Sequence, residues 1–187
     1  MNKKTKTMVG VALLTAIVVV LQLLGGGIRF GIFSISLVLI PIVVGAALYG
    51  WQAGGWLGFA FGLTVLLNGD AAPFMAVDVL GTIATVLVKG AGCGMVAGFV
   101  YSVFKKHRWL AVILAAVVCP IVNTGIFLVG CRLFFYETIA VWGAAAGFAK
   151  AGSYMLIGLA GVNFLVELGA NIVLAPVIVR LIKIGSK

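Results

Sequence analysis

Charge is scarce in this 187-residue chain: Asp, Glu, Lys and Arg together make up 9% of it, against about 25% in an average soluble domain. Apolar residues fill 64%, where a soluble domain holds roughly 45–50%. A soluble fold of this length could not cover so much apolar surface. Disorder is excluded, because disordered chains are polar or strongly charged. A single-helix anchor is excluded, because the apolar residues run from Met8 to Ile184. The length suits one domain, 1–187. What remains is an all-α polytopic membrane protein with little outside the bilayer.

Acids are scarcer than bases: 4 Asp and Glu face 13 Lys and Arg, a formal net charge of +9. In a soluble protein this would suggest nucleic acid. Cytoplasmic loops of membrane proteins collect Lys and Arg, which explains the excess with no nucleic-acid partner. Histidine is nearly missing. His107 is the only one, in a basic loop, so neither a His-rich metal site nor a Ser–His pair can be assembled. Cys93, Cys119 and Cys131 lie in apolar runs without CxxC or CxxH spacing. Their odd number and scatter give no disulfide framework, and they read as small buried hydrophobes. No enzyme, metal or cofactor is indicated. The GxxxxGK[ST] phosphate loop is also missing, so active transport would draw its energy from another subunit.

A membrane helix needs about 20 mostly apolar residues. Six such segments are expected, over 8–24, 32–49, 51–67, 79–104, 109–130 and 154–182. The N-terminus looks like a signal peptide, but the apolar stretch is long and no A-x-A cleavage pattern follows; it is read as a retained first helix. Six helices place both termini on one side. Lys3, Lys4, Lys6, Lys105, Lys106, Arg108, Arg180, Lys183 and Lys187 then share that side, which the positive-inside rule makes cytoplasmic. None of the four acids falls there. The outer connections are 25–31, 68–78 and 131–153.

Gly50, Gly54, Gly58 and Gly62 recur every four residues, as do Gly90, Gly94 and Gly98. Such stripes let helix backbones approach in lipid, either inside the protein or against a partner. Two charges sit inside spans, Lys89 and Glu167. Asn163, Glu167 and Asn171 are spaced i, i+4, i+8 on one helix face, and Asn123 lies within the fifth span. At a rise of about 1.5 Å per residue, Asn123, Asn163, Lys89 and Glu167 lie roughly 10–20 Å below the outer helix ends. Charges at such depth are costly and mark function by default. Two arrangements are open: a buried Lys89–Glu167 pair tied in by amides, or a polar pocket between the fourth, fifth and sixth helices. A proton relay would normally show more than one buried carboxylate, and Glu167 stands alone.

The order of several short motifs carries a resemblance. They are Ala12-Leu13-Leu14-Thr15-Ala16, then Leu39-Ile40-Pro41 through Tyr49-Gly50, then Ala53-Gly54-Gly55-Trp56 through Gly62. Val96 to Tyr101 precedes Lys105-Lys106; Val122-Asn123-Thr124, Asn163 to Glu167 and Ala175-Pro176 follow. Over nearly its whole length the chain resembles the substrate-binding S components of energy-coupling factor (ECF) transporters, in the group with the pantothenate, riboflavin and hydroxymethylpyrimidine proteins. The resemblance implies a subunit of the bacterial plasma membrane that captures a vitamin-like small molecule outside. It then docks on a membrane scaffold protein with two cytoplasmic ATPases. By the same resemblance Ala12 and Ala16 form the scaffold-docking face, and the loop with Gly25, Gly26 and Gly27 is the lid.

The substrate-binding candidates are Asn163, Glu167, Asn123, Lys89, Arg29, Tyr136 and Trp142. A carboxylate ligand such as pantothenate would suit Arg29 or Lys89, and is slightly favoured. If Glu167 neutralises Lys89, a neutral ring stacked on Phe30, Phe33, Tyr136 or Trp142 would fit instead. The aromatic loop motif of riboflavin proteins is not found. The competing class is a small six-helix membrane protein with a structural or sensory role and no transport.

Overall fold

The computed structural model describes residues 2–25, 29–30, 33–34 and 37–185. Helices dominate: α1 (Lys3–Gly25), α2 (Leu39–Tyr49), α3 (Trp51–Leu67), α4 (Ala72–Met75), α5 (Val79–Phe104) and α6 (Arg108–Phe134). They are followed by α7 (Tyr136–Ala145), α8 (Ala151–Ser153), a π-helical stretch (Tyr154–Gly161), α9 (Val162–Val173) and α10 (Ala175–Gly185). Among the described residues the only strands are an antiparallel pair, β1 (Arg29–Phe30) with β2 (Phe33–Ser34). Four helical segments are long and apolar enough to cross a membrane: Lys4–Gly25, Val79–Phe104, Arg108–Phe134 and Ala151–Val173. Leu39–Tyr49 and Trp51–Leu67 are apolar but shorter. Large apolar side chains such as Leu67, Leu80 and Leu133 point outward on these helices, as lipid contact requires. The chain is a multi-pass membrane protein.

Three boundaries differ from the sequence expectation. A helix is expected from 32, but Phe33–Ser34 is strand and α2 begins at Leu39. Residues 33–37 read Phe-Ser-Ile-Ser-Leu, an alternation with the period of a strand rather than a helix. The expected outer loop 131–153 is largely helix, because α6 continues to Phe134 and α7 follows at once. The last expected span is divided at Leu174. Pro176 has no N–H to donate to the Ile172 carbonyl and its ring crowds that carbonyl, so α9 ends and α10 begins anew.

Gly50 separates α2 from α3 at φ +94°, a conformation that costs a side-chain-bearing residue dearly. That one residue makes two helices of a nearly continuous apolar run. Asp78 caps α5: its carboxylate accepts from the Gly81 N–H at 3.0 Å, one of the free donors of a helix start.

The glycine stripes face each other. A Cβ added at Gly58 would meet the Gly90 carbonyl, one at Gly94 would meet Gly54, and one at Gly62 would lie 2.9 Å from the Val86 oxygen. Helices α3 and α5 therefore touch backbone to backbone, which is internal packing rather than a partner surface. Leu39, Ile42, Leu57, Val112, Cys119 and Ile178 fill the core beside this seam. A second cluster, with Phe74, Phe135, Ile139, Met155 and Leu159, closes the end reached by α4 and α7.

The two poles differ. Gly10 lies against Tyr49, Gly98 against Trp51 and Gly185 against Leu48. These contacts gather the start of α1, the α2–α3 turn, the end of α5 and the end of α10 at one pole. Lys4, Lys6, Lys105, Lys106, Arg108 and Arg180 are exposed there. The opposite pole holds the polar cavity.

Candidate functional site: a polar cavity at one pole of an apolar bundle

Polar side chains stand in for the apolar core at this pole. Gln22 from α1, Thr82, Thr85 and Lys89 from α5, Asn123 from α6, and Asn163 and Glu167 from α9 line one cavity. Asp70 lines it from the turn after α3. Phe61, Phe74, Phe127 and Phe135 supply its aromatic walls. The space they enclose is about 650 Å³ with the open mouth included.

Helical register explains the grouping. Thr82, Thr85 and Lys89 are three and four residues apart, so they share a face of α5. Asn123 and Phe127 do the same on α6, and Asn163 and Glu167 on α9. The Asn163 Nδ2 donates to Glu167 Oε1 at 3.3 Å, and Asn123 lines the cavity with them. Glu167 and Asn123 are each 4% exposed. Burying a carboxylate is costly without such partners. Even so, Glu167 Oε2, Asn163 Oδ1, Asn123 Oδ1 and Thr85 Oγ1 have no hydrogen-bond partner among the described residues.

Lys89 is not locked to Glu167. Its Nζ lies 5.7 Å from the centroid of Phe61 and 5.4 Å from that of Phe127, a cation held over two ring faces. No ion pair between Lys89 and Glu167 forms within the 4.0 Å limit. The cavity thus keeps a cation and a carboxylate apart, flanked by phenyl rings. At its rim, Gln22 Nε2 and Asn68 Nδ2 each donate to Asp70 Oδ2 at 2.8 Å. The Gln22 bond ties the end of α1 to the turn after α3.

A model of the family described as "ECF transporter, substrate-specific component" matches residues 6–179. The chain belongs to that family. No curated protein and no solved structure matches it. As an ECF substrate-specific component it is a transporter subunit, and membership implies a small-molecule ligand and scaffold and ATPase partners in a membrane.

The structure sorts the residues singled out in this family member. Lys89, Asn123, Asn163 and Glu167 come together in the cavity. Asn171, on the same face of α9 by spacing, is buried one turn beyond it, with both amide atoms unpaired among the described residues. Tyr136 and Trp142 stand behind the lining. Trp142 meets Phe74 edge-on at 5.6 Å, and Tyr136 carries the Arg132 guanidinium over its ring at 3.9 Å. Arg29 is placed on β1 as backbone; its side chain is outside the described residues. Gly25 ends α1, whereas Gly26 and Gly27 lie outside the described residues. Ala12 and Ala16 are exposed on α1, the least buried of the long helices. Between them Thr15 accepts a bond from Trp56 Nε1 at 3.2 Å, tying α1 to α3.

Sequence reasoning missed Gln22, Asp70, Thr82, Thr85 and the phenylalanine walls as site residues. The i, i+3, i+7 spacing of Thr82, Thr85 and Lys89 was an available signal. The phenylalanines carried none, because 12 of them are scattered through an apolar chain.

Proposed function

We propose that this protein is the substrate-capturing subunit of an ECF-type importer in the bacterial plasma membrane. It spans the bilayer six times with both termini in the cytoplasm, the basic pole inward and the cavity outward. It binds a carboxylate-bearing, vitamin-like micronutrient, pantothenate being the favoured candidate. It then docks through Ala12 and Ala16 on a scaffold protein served by two ATPases. The segment with Gly25, Gly26 and Gly27 acts as the lid over the site.

One observation carries the reading: a polar, aromatic-walled cavity at a single pole of a bundle that is otherwise apolar. Polar groups at this depth are too costly to be kept without use. Lys89 supports an acidic ligand, because it is engaged by ring faces and by no carboxylate within pairing distance. Asn123, Asn163 and Glu167 form the opposite wall.

The test is mass spectrometry of small molecules released from protein purified in mild detergent, with parallel identification of co-purifying subunits. A stoichiometric acid together with a scaffold and ATPases is the expected result. A protein that binds no member of a vitamin panel and recovers no ATPase would overturn the proposal. It would favour a structural role instead.

A further inference from the structure

The cavity has two chemically different ends, and the second specifies the ligand beyond its acidic group. Asn123, Asn163 and Glu167 line the same cavity, and the Asn163 Nδ2 donates to Glu167 Oε1. An amide donates through its nitrogen and accepts through its oxygen, so this bond leaves the Asn163 Oδ1 facing elsewhere. Asn123 Oδ1, Asn163 Oδ1 and Glu167 Oε2 are buried acceptors without a partner among the described residues. Native structures satisfy such groups. These three acceptors outnumber the one unpartnered donor on the lining, the Thr85 hydroxyl, so a donor-rich molecule complements the wall.

We propose that the ligand presents two or more O–H or N–H donors to Asn123, Asn163 and Glu167, while its acidic group meets Lys89 between Phe61 and Phe127. This deepens the substrate-binding reading above and rests on it. The ring faces beside Lys89 cover an apolar middle. A donor-poor acid satisfies Lys89 alone, and a ring that offers only acceptors opposes the wall. A site built to hydrogen-bond a hydroxyl or amine discriminates strongly against the analogue that lacks it, because its own buried groups are then left unpaired.

Three probes separate the ends by isothermal titration on the full chain in detergent. Pantothenate carries a carboxylate at one end and two hydroxyls at the other. Panthenol replaces the carboxylate by an alcohol. The compound 3,3-dimethylbutanoyl-β-alanine keeps the carboxylate and carbon skeleton but lacks both hydroxyls. The dideoxy compound should bind at least about 100-fold more weakly than pantothenate. Asn163→Leu and Asn123→Leu should each weaken pantothenate and panthenol about tenfold, with no effect on the dideoxy compound. Lys89→Met should weaken pantothenate and leave panthenol unchanged. If the leucine variants do not fold, the analogue comparison on the unaltered chain decides alone.

Equal affinity for pantothenate and its dideoxy analogue overturns the donor-end proposal and leaves the substrate-binding reading intact. If none of the three binds, the small molecule released from the purified protein decides. A ligand with an acid at one end and clustered donors at the other supports the proposal, and a donor-free ligand overturns it. A protein that neither releases nor binds any small molecule refutes the substrate-binding reading itself, and this inference with it.

Discussion

The seam between α3 and α5 gives a graded prediction for single methyl groups. At Gly125 on α6 an added Cβ meets nothing within 4 Å, so Gly125→Ala should stabilise by up to about 1 kcal/mol through helix propensity. At Gly62 the Cβ would lie 2.9 Å from the Val86 carbonyl oxygen and 3.3 Å from the Leu87 Cα, closer than side chains pack. There the steric cost should exceed the propensity gain, because the atoms met belong to backbone. At Gly58 the Cβ would fall onto the Gly90 carbonyl and reach the Ala91 N–H at 3.2 Å. Both are backbone groups that cannot rotate away, so the helices must part. Overpacking of this kind costs roughly 1–3 kcal/mol. Parting them also moves Phe61 on α3 and Lys89 on α5, each within a turn of the contact, and so disturbs the cavity. The assay is thermal unfolding in detergent, at roughly 2–4 °C per kcal/mol for a chain of this size, with ligand titration alongside. The expected order of stability is Gly125→Ala, then Gly62→Ala, then Gly58→Ala, with binding impaired only in the last. If Gly58→Ala melts with or above Gly125→Ala, the backbone contact between α3 and α5 is wrong.

Other perturbations report on separate parts of the molecule. Ala12→Trp or Ala16→Trp should abolish assembly with the scaffold and leave ligand affinity unchanged, because both residues are exposed on α1 away from the cavity; uptake that persists with either bulky residue refutes the docking face. Asn163→Ala should weaken ligand binding by roughly 1–3 kcal/mol if its amide oxygen meets the ligand, and an unchanged titration makes the residue structural. Asn171→Leu should hold or raise the melting temperature, since both amide atoms are buried without partners among the described residues and an apolar side chain of like size removes that penalty; a clear loss of stability would show that the amide is in use. Cys93, Cys119 and Cys131 are buried free thiols, so maleimide labelling should be slow in the folded protein and complete after denaturation; rapid labelling of any of them contradicts its burial.

The general character of the molecule was legible along the chain. Sustained apolar runs between basic clusters require membrane helices, because burial in lipid depends on each residue's own chemistry. Helical period placed Asn163 and Glu167 on one face, and scarcity of charge made Lys89 and Glu167 conspicuous. Tertiary structure decided the rest, because it depends on which residues meet. The glycine stripes could have faced a partner or each other, and only the α3–α5 contact chose. Gln22 and Asp70 lie 48 residues apart, and nothing local joins them. Lys89 could pair with Glu167 or not, according to where Phe61 and Phe127 stand. Asn171 shares the period of Glu167 but falls below the floor of the cavity, since a repeating face says nothing of where a pocket ends. Trp142 was plausible as a stacking surface, yet Phe74 from α4 stands in front of it. A residue's affinity for water or lipid is its own property and can be read singly; a site is a set of distances between segments, and those exist only once the helices have packed.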